Sequence, residues 1–447
     1  MKTAPLIKNF IKTYPLIIVS LFFISSRICT YLLTSFGWNL CSDSHDYVDL
    51  AKRLLNFNLK GYWFERTPGY PLLIALANMH LYRLALIQVG LSFLTVLLFY
   101  KIAAKTVNTF QAILLAILPC VVINFHFYEI MILSENLAVF LLTSICYVFY
   151  CKEQKYISLF LIGLLSALLL LTRTIFIYIT PILALVYLLE NQRDSLKRKI
   201  ISVLNLTIPT LIVFLLWSSL NKQHTGYFTL TNYLGINLAQ TSVRFYESDS
   251  TDNSLIKKIY VKHIHIAEKD KTKEIKNAIW DAYDELLEKT RMGLPDLSNE
   301  LKKKSIQLII NNKILYVKQA AISWTEFWTN KMYCIFVDTR FMSKNLYLYW
   351  RTTSHILQLT FNFLFILATL FFSKRFLINK EKIPFQVYTS ILIVILGSLL
   401  QAIIIYGDNP RFSFPYYPLI YLVVFFFFKK IINRVRNKYQ NKINVSE

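Results

Sequence analysis

What most constrains this chain is the length of its apolar runs. Its hydrophobic residues come in blocks of about 18 to 24 rather than at the spacing of one helix face, and that length crosses roughly 30 Å of hydrocarbon as a helix. The blocks lie near 14–37, 82–100, 108–126, 131–150, 156–172, 174–190, 200–219, 352–373, 384–406 and 414–430. Only 17% of the 447 residues are charged, against about 25% in an average soluble domain. The expectation is an all-α, polytopic integral membrane protein with about ten transmembrane helices.

Charge then sets the sidedness. The net charge of +23 is not read as a nucleic-acid footprint, because no basic and aromatic motif accompanies it. Lysine and arginine collect instead in alternate loops: Lys2, Lys8 and Lys12; Lys101 and Lys105; Lys152 and Lys155; Arg193 to Lys199; Lys374 to Lys382; and the tail KKIINRVRNKYQNK. The intervening short turns near 127–130, 173 and 407–411 carry almost none. The positive-inside rule places both ends in the cytoplasm. The basic and then apolar N-terminus is read as a retained first span, since its apolar run is long and no small-residue cleavage site follows. The plasma (inner) membrane is the expected location.

Two outer segments are longer. Residues 38–81 contain CSDSHDY and DYVDLAKRLLNFN, in which Tyr47, Leu50, Ala51, Leu54 and Leu55 fall at helical spacing; an interfacial helix is expected. Residues 221–351 are expected to form a small helical outer domain, with 1–220 and 352–447 as the flanking membrane regions. The stretch SWTEFWTNKMY (323–333) has the look of an interfacial aromatic helix. The six cysteines show no CxxC or metal-site spacing. Cys41 and Cys334 both fall on the outer side, where a disulfide can form, but their spacing does not demand one.

Ionisable groups within spans cost a few kcal/mol each and face the protein interior or water. Those of this chain gather on the outer side: Arg27, Arg66, Glu129, Glu135, Arg173, Asp408 and Arg411, beside Asp43 and Asp46. Arginines there suit a phosphate, to which they present a planar fork. Carboxylates there suit proton abstraction or a divalent metal. Each also has a plain structural reading. Arg27 pairs with an acid or snorkels, Asp43 and Glu135 cap helices, and Arg173 and Arg411 anchor the interface. His45 reads as solvated, and His263 and His265 lack a metal-site context.

The order of motifs carries a resemblance: an acidic first outer loop, RTPGYPLLIAL, LSENLAVFLLT, GLLSALLLLTRTIFIYITPILAL and GDNPRFSFPYYPLIYL. It resembles the C-type glycosyltransferases of the dolichyl-phosphate-mannose protein mannosyltransferase type, a group that includes the lipid A aminoarabinose transferases. The resemblance implies a polyprenyl-phosphate sugar as donor, and transfer on the extracytoplasmic face to a lipid, glycan or protein. It implies Asp43 as general base or acceptor-orienting group, with Asp46 and Glu135 beside the reacting centre. Arg66, Arg173 and Arg411 would hold the donor phosphate with support from Arg27, and Tyr47, Tyr70 and Asp408 would line the substrate groove. Several family members carry two adjacent acids in the first loop, whereas here Ser44 follows Asp43 and the next acid is Asp46. Three apart on a helix, the two share a face, and the metal question stays open. The alternatives are an outer-face polymerase or ligase using polyprenyl-diphosphate oligosaccharides, and a lipid or ion transporter.

Overall fold

The structure is a computed structural model that describes residues 11–33, 40–41, 43–249, 252–329, 344–407 and 409–446. Asp408 and Cys334 lie outside the described residues. The chain is all-α, and among the described residues each apolar block found in the sequence lies mostly in helix. Hydrocarbon leaves backbone groups no water to bond, so each segment must satisfy them internally.

Among the described residues, five helices are long and apolar enough to cross a membrane: Pro15–Leu32, Leu81–Thr106, Leu196–Thr225, Asn345–Leu377 and Phe385–Ile404. A bent pair, Thr109–Val121 and Ile123–Ile130, gives a sixth if its two pieces are one span. The sequence suggested a span near 108–126, and here the two pieces meet at 53°. Pro119 lies in the last turn of the first piece, and Val122 breaks the helix with extended backbone. Proline lacks an N–H and crowds the preceding carbonyl, which makes such bends local.

The remaining blocks give shorter apolar helices: Glu135–Cys151, Tyr156–Thr172 and Thr174–Glu190. Glu135–Cys151 is buried on nearly every side, so it runs through the middle of the bundle rather than against lipid. The next two abut through Arg173, which is extended (φ −150°), and a single 3₁₀ turn, Thr174–Tyr178. The last helix, Tyr417–Ser446, turns basic at Lys429.

After the first apolar helix, Ser44–Leu55 is the amphipathic helix expected, with Ser44, Tyr47, Leu50 and Ala51 on its buried side. Beyond it, four helices share a core of their own: Leu234–Ser242, Leu255–Lys269, Ala278–Thr290 and Leu294–Asn311. Ile236, Tyr260, Ile279, Leu286 and Leu297 meet there, and Tyr406 joins them from near the C-terminal end. The following helix, Lys313–Phe327, packs on Phe385–Ile404 instead. Trp324 Nε1 donates to Ser398 Oγ at 3.0 Å, and the Tyr316 hydroxyl donates to the Ile403 carbonyl at 2.8 Å. Phe327 is fully buried. This stretch therefore turns aromatic side chains into the protein, not only toward an interface, and its residues 330–333 lie outside the described residues.

One close approach fixes the segment around Gly69 against the Tyr156–Thr172 helix. A Cβ on Gly69 would lie 2.6 Å from the backbone C and O of Leu171 and from the N of Thr172, so only glycine lets these two segments touch. Near the contact, Arg66 and Arg173 line the same cavity. Gly69→Ala should lower stability by about 1–3 kcal/mol, the usual cost of overpacking, read as a lower unfolding temperature in nanodiscs. Gly90→Ala, with nothing within 4 Å of the added carbon, should not.

Candidate active site

Asp43 sits at the N-terminus of Ser44–Leu55 but makes no side-chain capping bond. Ser44 anchors this corner instead: its Oγ accepts from the Cys41 N–H at 2.9 Å and donates to the Ile132 carbonyl at 3.0 Å. Cys41 is disulfide-bonded, while Cys29, Cys120, Cys146 and Cys151 are free thiols. With the corner fixed, Asp43 is left to face cations.

Those cations form a continuous ionic chain. Arg66 donates to Asp43 Oδ1 at 2.8 Å and to Asp46 Oδ2 at 3.1 Å. Arg411 donates to Asp43 Oδ2 at 2.7 Å, and its Nε donates to Glu135 Oε1. Arg173 donates to the same Glu135 oxygen at 2.7 Å. The Arg66 guanidinium also lies over the Tyr47 and Tyr233 rings, 5.0 and 5.1 Å from their centroids. Rings and carboxylates together hold it in one orientation. Burial by itself would raise the Asp43 carboxyl, but Arg66 and Arg411 outweigh it and hold that carboxyl well below the usual range.

A cavity of about 650 Å³ opens beside this chain, within the usual range for small-molecule sites. Asp43, Asp46, Arg66, Arg173 and Arg411 line it, and Tyr47 with them. Asn237, Gln240, Asn277, Trp280 and Asp281 line it too, all from the 221–351 segment. Amides, an acid and an indole face arranged this way suit a hydroxyl-rich ligand, which takes hydrogen bonds at its edges and packing on its face.

Other residues singled out in the sequence lie elsewhere. Arg27 is not among the residues lining the cavity. It is buried against Glu129, with its Nε 2.9 Å from Glu129 Oε2 and its Nη1 3.1 Å from His126. Its helix packs on Thr109–Val121 and Leu81–Thr106, which turns Arg27 toward Glu129 in the interior. Glu135 is fully buried behind Arg173 and Arg411 rather than on the cavity, and its Oε2 has no hydrogen-bond partner. Tyr70 is also buried, donating to Gln88 Oε1 at 3.0 Å and meeting the Tyr47 ring edge-on at 5.1 Å. His45 is exposed, and His263 pairs with Glu285 at 2.8 Å. Asp408 lies outside the described residues. Among the described residues no group of three His, Cys, Asp or Glu side chains is placed to hold a metal, and Asp43 and Asp46 both turn onto Arg66.

Sequence reasoning missed Glu65 and the lining residues of the 221–351 segment. Glu65 lines the cavity beside Arg66. In the sequence only its place in FERTPGYP marked it, and no spacing rule singles out an acid there.

Glu135 is the anion shared by two arginines whose side chains are only 9% and 5% exposed. Removing one partner of such a buried set costs about 3–5 kcal/mol, so Glu135→Gln should lower the unfolding temperature sharply, and Glu135→Asp less. Acid should act through Asp43. Its folded-state pKa is depressed, so its contribution is complete above the ordinary carboxylate range, about pH 4, and is lost as pH falls through and below it. Unfolding temperature measured against pH should therefore show a smaller acid-side loss in Asp43→Asn than in the wild type.

No protein-family model matches the chain, and no curated protein matches it. Among solved structures it is similar to the oligosaccharyltransferase of Archaeoglobus fulgidus. The crystal structure of that protein with Zn and sulfate gives a TM-score of 0.45 at 13% identity, covering 96% of this chain and 51% of the other. AglB of the same organism, with an inhibitory peptide and a dolichol-phosphate, gives 0.45 at 13% identity, covering 98% and 52%. The form tethered to an acceptor peptide containing the NVT sequon gives 0.44 at 15% identity, covering 93% and 50%. This chain thus spans about half the length of those proteins.

Proposed function

We propose that this protein is a membrane-embedded glycosyltransferase. It moves a sugar from a polyprenyl-phosphate donor to an acceptor hydroxyl, with inversion, on the extracytoplasmic face of the plasma membrane. The observation that carries this reading is the convergence of Arg66, Arg173 and Arg411, from three distant parts of the chain, on one open cavity. A phosphate leaving as an anion needs positive charge held in place before it departs. Arg66 and Arg173 suit that task. Of the five N–H groups of a guanidinium, Arg66 directs two at Asp43 and Asp46 and Arg173 one at Glu135, so further donors remain for phosphate oxygens.

In this reading Asp43 sets the spacing of Arg66 and Arg411 and orients the acceptor, Asp46 braces Arg66, and Glu135 positions Arg173 and Arg411 from behind. Trp280 and the lining amides of the 221–351 segment receive the acceptor. The reading includes ten crossings with both ends in the cytoplasm. Its outer helical domain, residues 221–351, closes over the first outer loop between the membrane regions 1–220 and 352–447.

The test uses purified protein in nanodiscs with polyprenyl-monophosphate mannose, glucose and aminoarabinose as donors. The wild type should bind at least one and release polyprenyl phosphate when an acceptor is present. Asp43→Asn should still bind donor but release less. Arg411→Ala should bind about ten- to a hundredfold more weakly, as expected for a lost charge-assisted hydrogen bond of about 1.5–3 kcal/mol. Well-folded wild type that binds none of these donors would overturn the reading, and diphosphate-linked oligosaccharides would be tried next.

A further inference from the structure

Inversion at a sugar carbon requires that a proton leave the acceptor hydroxyl. Asp43, the acid in the position the family resemblance points to, is badly suited to take it. Both of its oxygens already accept from arginines at 2.7 and 2.8 Å. Asp46 Oδ2 likewise accepts from Arg66 and from the Tyr233 hydroxyl, each at 3.1 Å. Two guanidinium groups stabilise Asp43 as an anion and make it correspondingly weak as a base, and Asp46 Oδ2 is already occupied by its two donors.

Glu65 differs from both. It lines the same cavity, no arginine is bonded to it, and its Oε2 is shielded from solvent without a hydrogen-bond partner. A buried oxygen left without a partner is costly, and an arriving hydroxyl donor relieves that cost. The backbone around Glu65 is held tightly enough to aim the carboxyl. Phe64, just before it, is fully buried with φ at +55°, a conformation that bulky residues adopt only when their surroundings enforce it. The enforcement comes from the 221–351 segment. The Asn232 N–H donates to the Phe64 carbonyl at 2.9 Å, the Asn232 side-chain amide to the Trp63 carbonyl at 2.7 Å, and the Thr231 hydroxyl to the Glu65 carbonyl at 2.7 Å.

Resting on the transferase reading, we infer that Glu65 is the proton acceptor of the reaction, positioned by the Thr231–Asn232 clamp. The acceptor hydroxyl gives its proton to Glu65, and its oxygen forms the new bond to the sugar's anomeric carbon. The bond from that carbon to the donor phosphate oxygen breaks, and its electron pair stays with the phosphate. Arg66, Arg173 and Arg411 hold the resulting anion. Glu65 then returns the proton to water.

The charge around Glu65 agrees with this role. Burial, with repulsion from Asp46 and Asp49 on the Ser44–Leu55 helix, raises its carboxyl to about 7; its own backbone N–H and Arg66 work against the rise. The other titratable groups coupled to it are the phenols of Tyr62, Tyr233 and Tyr283, which stay neutral through that range. A base poised near the working pH is the efficient choice.

The experiment compares wild type, Glu65→Gln and Glu65→Asp as full chains in nanodiscs with the three polyprenyl-monophosphate sugars. Donor binding and release of polyprenyl phosphate are followed against pH, and the infrared carbonyl band of protonated carboxyl groups is titrated in parallel. For the wild type, turnover should fall about tenfold per pH unit below about 7, and a carboxyl should titrate there. Glu65→Gln should lose that carboxyl and slow turnover by about a hundred- to ten-thousandfold, the usual share of general-base catalysis, with donor binding unchanged. Glu65→Asp should recover part of the rate. If the wild type turns over donor and Glu65→Gln matches it in rate and pH profile, the assignment of Glu65 is wrong while the transferase reading stands. If the wild type binds none of the donors, the transferase reading fails and the assignment with it.

Discussion

The structure around the cavity depends on one fact of electrostatics, that charges removed from water must meet opposite charges at close range. Asp46, Arg66, Asp43, Arg411, Glu135 and Arg173 satisfy one another in that order. They come from the segment 43–66, the start of Glu135–Cys151, the turn after Tyr156–Thr172, and the short Asn409–Phe412 helix. Each junction between these pieces is thus an ion pair as well as a packing contact. Glu135 is the member on which the rest turn, because it alone faces two arginines from the interior. An acid at the first turn of a helix is favoured by the helix dipole, so the same residue serves its own helix and the site.

Arg27 and Glu129 follow the same rule without joining the site. They are also distant in sequence, also buried and also paired, yet their pairing closes on itself with His126 and Thr30 beside it. A buried charge whose needs are met internally holds a fold together. What separates Arg66, Arg173 and Arg411 is that a cavity reaches them.

Residues 231–281 do more than pack among themselves. Thr231 and Asn232 hold the backbone of Trp63, Phe64 and Glu65, and Asn237, Gln240, Asn277, Trp280 and Asp281 line the same cavity as the arginines. Residues 43–66 alone would keep the Arg66 ion pairs but lose the means of holding Phe64 in its strained conformation. The Gly235 N–H donates to Ser298 Oγ at 3.0 Å. A Cβ on Gly235 would lie 1.7 Å from the Ser298 carbonyl oxygen, so the segment's own helices are locked as tightly as the loop they support.

Much of this was legible in the chain. The apolar blocks set the helices because hydrocarbon-length runs have few other ways to satisfy a backbone, and the Ser44–Leu55 helix followed from the spacing of Tyr47, Leu50 and Ala51. Asp43, Asp46, Arg66, Arg173 and Arg411 stood out because charge next to apolar blocks is costly, and all five meet at one cavity. The bend at Val122, the turning inward of Trp324 and Phe327, and the distinction between Arg27 and the site arginines were not legible, since each depends on which neighbour a side chain meets. Glu65 is the clearest case. Its residue type and its place in FERTPGYP mark it no more than many exposed glutamates, and only the fold brings burial, Asp46 and Asp49 around it while leaving Oε2 without a partner. Sequence determines where charge sits along the helices, because that is a matter of order and period. Tertiary structure decides which charges are satisfied and which are left poised, because solvation and pairing are properties of the packed neighbourhood.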